Sequence, residues 1–214
     1  MMNMKRWMMA MTLCMASLGS HAQEMATLFT AMPDQQIPQL EDAWRKDLVD
    51  LFQQGKEARV QNTMNGYSSL KQLTADYLLL QVTERSTVEM KLLPLINNTQ
   101  VICVVTTIYG PVPDSRVAFF SAEWEPLPVE ELIPHLSASD FRLVPSDTTE
   151  VAYQDALALL DMELIHYTLS PDQLTLSATY TTPRYLSEAD QQRVAPFVQT
   201  VPIVLTWQKS HFVR

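Results

Sequence analysis

The sequence predicts an α+β protein: antiparallel β-sheet meanders packed with an N-terminal helix and several short helices. Three observations carry this. Val101 to Val105 is an unbroken apolar run rich in β-branched residues, the pattern of a strand buried on both faces. Gly110-Pro111-Val112-Pro113-Asp114-Ser115 then breaks regular structure, and Arg116–Trp124 resumes as a strand, which makes a hairpin. Strand-length runs separated by short turn clusters recur on both sides of this hairpin, whereas long helical spacing occurs near the N-terminus.

Taken in order, Met25–Pro38 is a lead-in with two prolines. Leu40, Ala43, Trp44, Leu48, Leu51 and Phe52 recur at three- and four-residue spacing, so a helix is expected from Pro38 to Gly55. Its polar face carries Glu41–Arg45 and Asp42–Lys46 at i,i+4. Ala58–Asn62 reads as a short strand closed by the turn Asn65-Gly66. Gly66-Tyr67-Ser68-Ser69 reads as a turn. Tyr77–Thr83 and Thr87–Pro94 are strands around Glu84-Arg85-Ser86, and Leu95–Thr99 turns into the central hairpin. There Ala118, Phe120, Ala122 and Trp124 share one face, and Val117, Phe119, Ser121 and Glu123 the other.

Prolines at 126, 128 and 134 mark a break near residues 125–130. A short helix is expected at Val129–Leu136, a short strand at Phe141–Val144, and a helical or mixed segment at Thr149–Asp161. Met162–Leu169 and Gln173–Thr181 form a strand pair around Ser170-Pro171-Asp172. Tyr185–Val194 holds a short helix started by Ser187-x-x-Asp190. Val198–Phe212 closes the chain as one strand. Each half thus runs two strands, a connection, then a long apolar strand. Two related αβ units from a duplication would give that order, and so would ordinary antiparallel meanders.

The N-terminus carries the most specific functional signal. Lys5 and Arg6, the apolar stretch Trp7–Leu18, and Ser20-His21-Ala22 match a secretory signal peptide over residues 1–22, leaving a single domain at 23–214. The apolar stretch is about half the ~20 residues needed to span a bilayer. Lipidation at Cys14 is disfavoured, because Met11-Thr12-Leu13 lacks the small residue such sites place beside the cysteine. Cleavage after Ala22 would leave 13 basic residues against 24 acidic ones, a formal charge of −11. That argues against nucleic acid or an anionic membrane surface as partner. No further apolar run of spanning length follows, so no transmembrane segment is expected in the mature chain. Cys103 would remain as the one cysteine, read as a small buried hydrophobe.

Met32-Pro33-Asp34, Arg45-Lys46-Asp47-Leu48-Val49-Asp50, Ser86-Thr87-Val88-Glu89-Met90-Lys91-Leu92-Leu93 and Val101-Ile102-Cys103 occur in an order and spacing that resembles a known family. It is a family of uncharacterised exported proteins of Bacteroides-type bacteria, classed as a domain of unknown function. The resemblance implies a Gram-negative envelope location and one family domain. It implies no reaction, cofactor or site residues.

Chemical motifs are sparse. His135, His166 and His211 lie apart, with no HExxH or CxxC, so no metal or cofactor is expected. Four glycines, none in a nucleophile elbow or phosphate-binding loop, argue against a serine hydrolase and a nucleotide enzyme. The acidic pairs Glu123/Glu125 and Glu130/Glu131 read as solvated strand ends. Tyr67 and Trp207, with the candidate surface-binding residues Tyr109, Trp124, Tyr180 and Tyr185, fall at strand ends or near turns. The loops Gly110–Ser115 and Thr181–Ser187 are the segments expected to face a partner. The leading expectation is a non-catalytic, exported binding or assembly component of the cell envelope. Its partner would be an envelope protein, a peptide or a glycan. The rivals are an envelope hydrolase using paired carboxylates and a periplasmic carrier of a small apolar ligand.

Overall fold

The computed structural model describes residues 22–214, so the expected signal peptide lies outside the described residues apart from Ala22. Helices α1 (Ala22–Ala31) and α2 (Asp42–Gln53) precede seven strands. These are β1 (Arg59–Gln61), β2 (Tyr67–Leu73), β3 (Tyr77–Thr83), β4 (Ser86–Pro94), β5 (Gln100–Tyr109), β6 (Pro113–Phe120) and β7 (Pro126–Leu127). They form one antiparallel meander in sequence order. Helices α3 (Val129–Leu132) and α4 (Val151–Leu159) lead to β8 (Ile165–Leu169) and β9 (Thr175–Tyr180). Helix α5 (Glu188–Val194), β10 (Ile203–Gln208) and β11 (His211–Val213) follow, and β8–β11 make a second antiparallel meander. The α+β class and the meander architecture are as expected.

Three layers result, because the large sheet is apolar on both faces. Leu78, Leu80, Met90, Leu92, Ile102 and Phe120 pack on one side against Met25, Phe29, Leu40 and Leu48 of the helical layer. Their alternates Tyr77, Leu93, Val101, Cys103, Val105 and Phe119 pack on the other against Leu176, Leu205, Trp207 and Phe212 of the small sheet. Alternation with period two puts neighbours on opposite faces, so a continuous apolar run serves two cores at once.

The two covering layers are offset. Helices α1 and α2 lie over the β1–β2 end, while β8 meets the large sheet at β4, β5 and β6. Strand β8 is an edge strand whose outward N–H groups have no strand to pair with. Side chains standing on the large sheet accept them instead: Asp114 Oδ1 takes Ile165 N–H (3.1 Å), Ser115 Oγ takes Tyr167 N–H (3.1 Å), and Glu89 Oε2 takes Leu169 N–H (2.7 Å). Buried donors left unpaired would cost about 1–3 kcal/mol each, so these bonds fix where the small sheet stands.

Several local expectations change. Met25–Pro38 holds helix α1, whose Met25, Ala26 and Phe29 are buried; Pro33 comes only after its end. Helix α2 starts at Asp42, and Arg45 leaves the solvated face to become 1% exposed. Its guanidinium bonds Asp34 at 2.9 Å, Leu40 O at 2.6 Å and Met32 O, rather than Glu41. Tyr67–Leu73 is a strand: Asn62 Oδ1 accepts Met64 N–H and Gly66 N–H, and closes the turn one step earlier. Strand β6 ends at Phe120, and Ser121–Glu125 turns with Trp124 at φ +64°.

Helix α3 stops at Leu132 because Ile133 precedes a proline and takes extended backbone. Phe141 closes a 3-10 turn, leaving one bridge between Arg142 and Val198 in place of the expected strand. The final strand is a hairpin, reversed by Lys209 (φ +48°) and Ser210 (φ +70°). Both residues are left-handed, the geometry of a two-residue hairpin turn, without the Asn-Gly pair that usually announces it.

Candidate functional site

The offset of the layers leaves two parts of the large sheet uncovered, at opposite ends and on opposite faces. On the helical face, strands β4–β6 run beyond α1 and α2. Val88, Val104, Ala118 and Phe120 floor a groove of about 460 Å3 there. Met32 and Ile37 form one wall, and Ile108, 62% exposed, stands at the open end. Arg116, Asp114, Gln35 and Gln36 give it a polar rim. The wall is held by the Arg45 bonds to Met32, Asp34 and Leu40, so a charge buried under α2 shapes a surface some residues away. Trp124 closes one end of the groove. Its Nε1–H donates to Leu28 O at 3.1 Å, and its ring lies 5.3 Å from that of Phe120.

On the other face, β1, β2 and the Gln81–Thr83 end of β3 lie outside the cover of the small sheet, while Tyr77 at the start of β3 is packed beneath it. A polar trough of about 720 Å3 opens over Arg59, Tyr67, Ser69, Lys71, Gln81, Thr83 and Arg85. Where it ends, Arg85 O accepts Tyr109 N–H at 2.8 Å, and Tyr109 packs edge-on against His166 at 6.1 Å. Behind this corner, β4 carries Glu89 under the edge of β8. Burial raises its carboxyl to about 7, against the N–H of Leu169 and the hydroxyl of Tyr77, which both favour the charged form. Burial first, then the charge of Arg184, lowers His166. Burial, with a smaller contribution from Glu89, pushes the Cys103 thiol far up, which suits an inert core residue.

The four aromatic candidates divide. Tyr109 and Tyr185 are 39% and 49% exposed and remain available at the surface. Trp124 and Tyr180 are each 6% exposed, so neither ring stands open at the surface, and Trp124 meets the apolar groove only as its end wall. Tyr180 OH donates to Met162 O at 2.8 Å and its ring stacks on Phe141; Trp124 is committed to Leu28. Both satisfy their polar atom inside, which is how a large amphipathic ring becomes a core lid. The loop Gly110–Ser115 shortens to Gly110–Val112, because β6 begins at Pro113. Of the residues that line the two surfaces, Arg59, Lys71, Gln81 and Ile108 were missed by motif reasoning. The available signal was register: polar residues alternating with apolar ones along β2 and β3.

Acid–base and metal chemistry find little here. Burial is what raises Glu89, and no neighbouring carboxylate contributes, so the paired acids of a glycoside hydrolase do not meet there. Among the described residues no three His, Cys, Asp or Glu side chains could hold a metal ion together. No helix among them is long and apolar enough to cross a membrane.

Comparison with known proteins matches residues 17–212 to the family described as "Protein of unknown function (DUF3256)". No curated protein matches. A solved structure of a domain of an uncharacterized protein from Porphyromonas gingivalis is similar to this chain, with a TM-score of 0.80 and 30% identity. The similarity covers 89% of this chain and 98% of that one.

Proposed function

The chain belongs to the DUF3256 family of proteins of unknown function, and from that premise we propose that it is a non-catalytic binding or assembly component exported to a bacterial cell envelope. The observation that carries this reading is the apolar groove on the helical face. Its floor of Val88, Val104, Ala118 and Phe120 would take two or three apolar side chains of a protein or peptide partner, and its rim would set their direction. Pairing through a sheet edge is the weaker route. Strands β1, β7 and β11 are two or three residues long, and β8 is capped by side chains. Support for export comes from the residue pattern Lys5–Ala22.

The test has two parts. Fractionation of the native host should place the protein in the envelope, with its N-terminus at Gln23. Cross-linking in that fraction should then trap a partner with wild-type protein and lose it with Ile108→Glu or Ala118→Trp, at unchanged circular dichroism. A cytoplasmic protein, or a partner retained equally by both variants, would overturn the reading.

A further inference from the structure

The trough on the opposite face of the sheet is built differently from the apolar groove. The register aligns Arg59 with Ser69, Ser69 with Gln81, and Gln81 with Thr87. These four side chains form one row across β1, β2, β3 and β4, spanning roughly 14 Å at about 4.8 Å per strand. Thr87 Oγ1 lies 3.5 Å from Tyr109 OH, so Tyr109 ends the row. At its other end the Arg59 guanidinium lies over the Tyr67 ring, 3.9 Å from the centroid. A guanidinium seated on a ring face keeps N–H donors at its edge, and such an edge grips a carboxylate through two parallel hydrogen bonds. Lys71 and Arg85 stand beside the row, and among the described residues none of these three cations makes an ion pair.

We propose that this row binds a short oligosaccharide bearing a carboxylate, a uronic-acid type of glycan, with Arg59 on the carboxylate and Ser69, Gln81 and Thr87 on successive hydroxyls. The chemistry selects against other ligands. The row runs across the strands and offers side-chain hydroxyl, amide and guanidinium groups, so it presents no backbone for an extended peptide to pair with. Met64 is the one aliphatic side chain among the residues that line it, so the trough offers a peptide no cluster of apolar side chains. Glu57 and Glu84 also border the trough, which suits one or two carboxylates rather than a polyanion. A chain of formal charge −9 repels nucleic acid as a whole.

The experiment is calorimetric titration of the purified chain with uronic-acid trimers of several linkages. Their methyl esters and a Glu-rich hexapeptide are measured beside them. The expected result is binding of at least one acid trimer, weakened by salt and weakened about tenfold or more by esterification or by Arg59→Gln. Gln81→Ala should weaken it less, and Ile108→Glu, which alters the groove on the other face, should leave it unchanged. Failure of every acid trimer to bind, equal binding by Arg59→Gln, or tighter binding of the hexapeptide would overturn the proposal. Because Ile108→Glu reads the apolar groove alone, the two surfaces stand or fall separately.

Discussion

Glu89 and Lys91 leave β4 on the same side, two residues apart, beneath the small sheet, and they meet burial in opposite ways. Lys91 is 2% exposed, and its ammonium is held by Asp76 Oδ2 at 2.8 Å and Pro171 O at 2.7 Å. Asp76 is half-exposed and can regain water, whereas the ammonium cannot. Asp76→Ala should therefore cost about 3 kcal/mol, because it strands a buried charge, and Lys91→Met about 1 kcal/mol. Urea unfolding of the two variants checks the order, and equal costs would contradict it. Glu89 is raised from its ordinary 4.5 to about 7. Between those values the folded state holds a proton that the unfolded state has released. Its contribution to stability is thus complete below pH 4.5 and is lost as pH rises through 7. Glu89→Gln should remove this loss, gaining on the order of 2–3 kcal/mol on wild type between pH 4.5 and pH 8. A wild-type and variant difference that is flat with pH would refute that.

At the scale of elements, β8 shows how a sheet edge is controlled by residues far away in sequence. Asp114→Ala leaves Ile165 N–H without its acceptor and should cost about 1 kcal/mol. It should also speed amide exchange at Ile165 more than at Leu169, while Asp114→Asn, which keeps an acceptor, should stay close to wild type. The segment Met32–Leu40 follows the same logic, since Arg45 ties both of its ends to α2. Arg45→Met should lower stability by about 3 kcal/mol and weaken partner capture at the groove whose wall that segment forms, measured by thermal unfolding and the cross-linking assay together. Neither element was fully legible beforehand. Nothing local in Asp114-Ser115 marks them as acceptors for a strand some fifty residues on, and Arg45 sits in a helix position where charge is normally solvated.

For the whole molecule, the break near residues 125–130 falls where the chain passes from the large sheet to the small one, yet it does not divide the core. Val101, Val105 and Phe119 from before the break share a cluster with Leu205, Trp207 and Phe212 from after it. A fragment of residues 22–128 should therefore expose that face and aggregate, and size-exclusion chromatography would show it; a stable monomeric fragment would argue for two autonomous halves. The parallel between the halves reduces to two three-stranded meanders, β3-β4-β5 and β8-β9-β10, and meanders alike in order need share nothing else.

By itself the sequence determined the class, most strand positions, the central hairpin and the two-sided burial of Val101–Val105. These depend on period, β-branching and turn residues, all properties of neighbours along the chain. Tertiary structure alone decided the offset of the two covering layers, and with it which stretches of the large sheet stay open. It also decided that Trp124 and Tyr180 turn inward while Arg59, Lys71 and Gln81 line a trough. The physical reason is that a strand residue's exposure depends on whether another layer lies over its face, and that layer comes from residues far away in the chain.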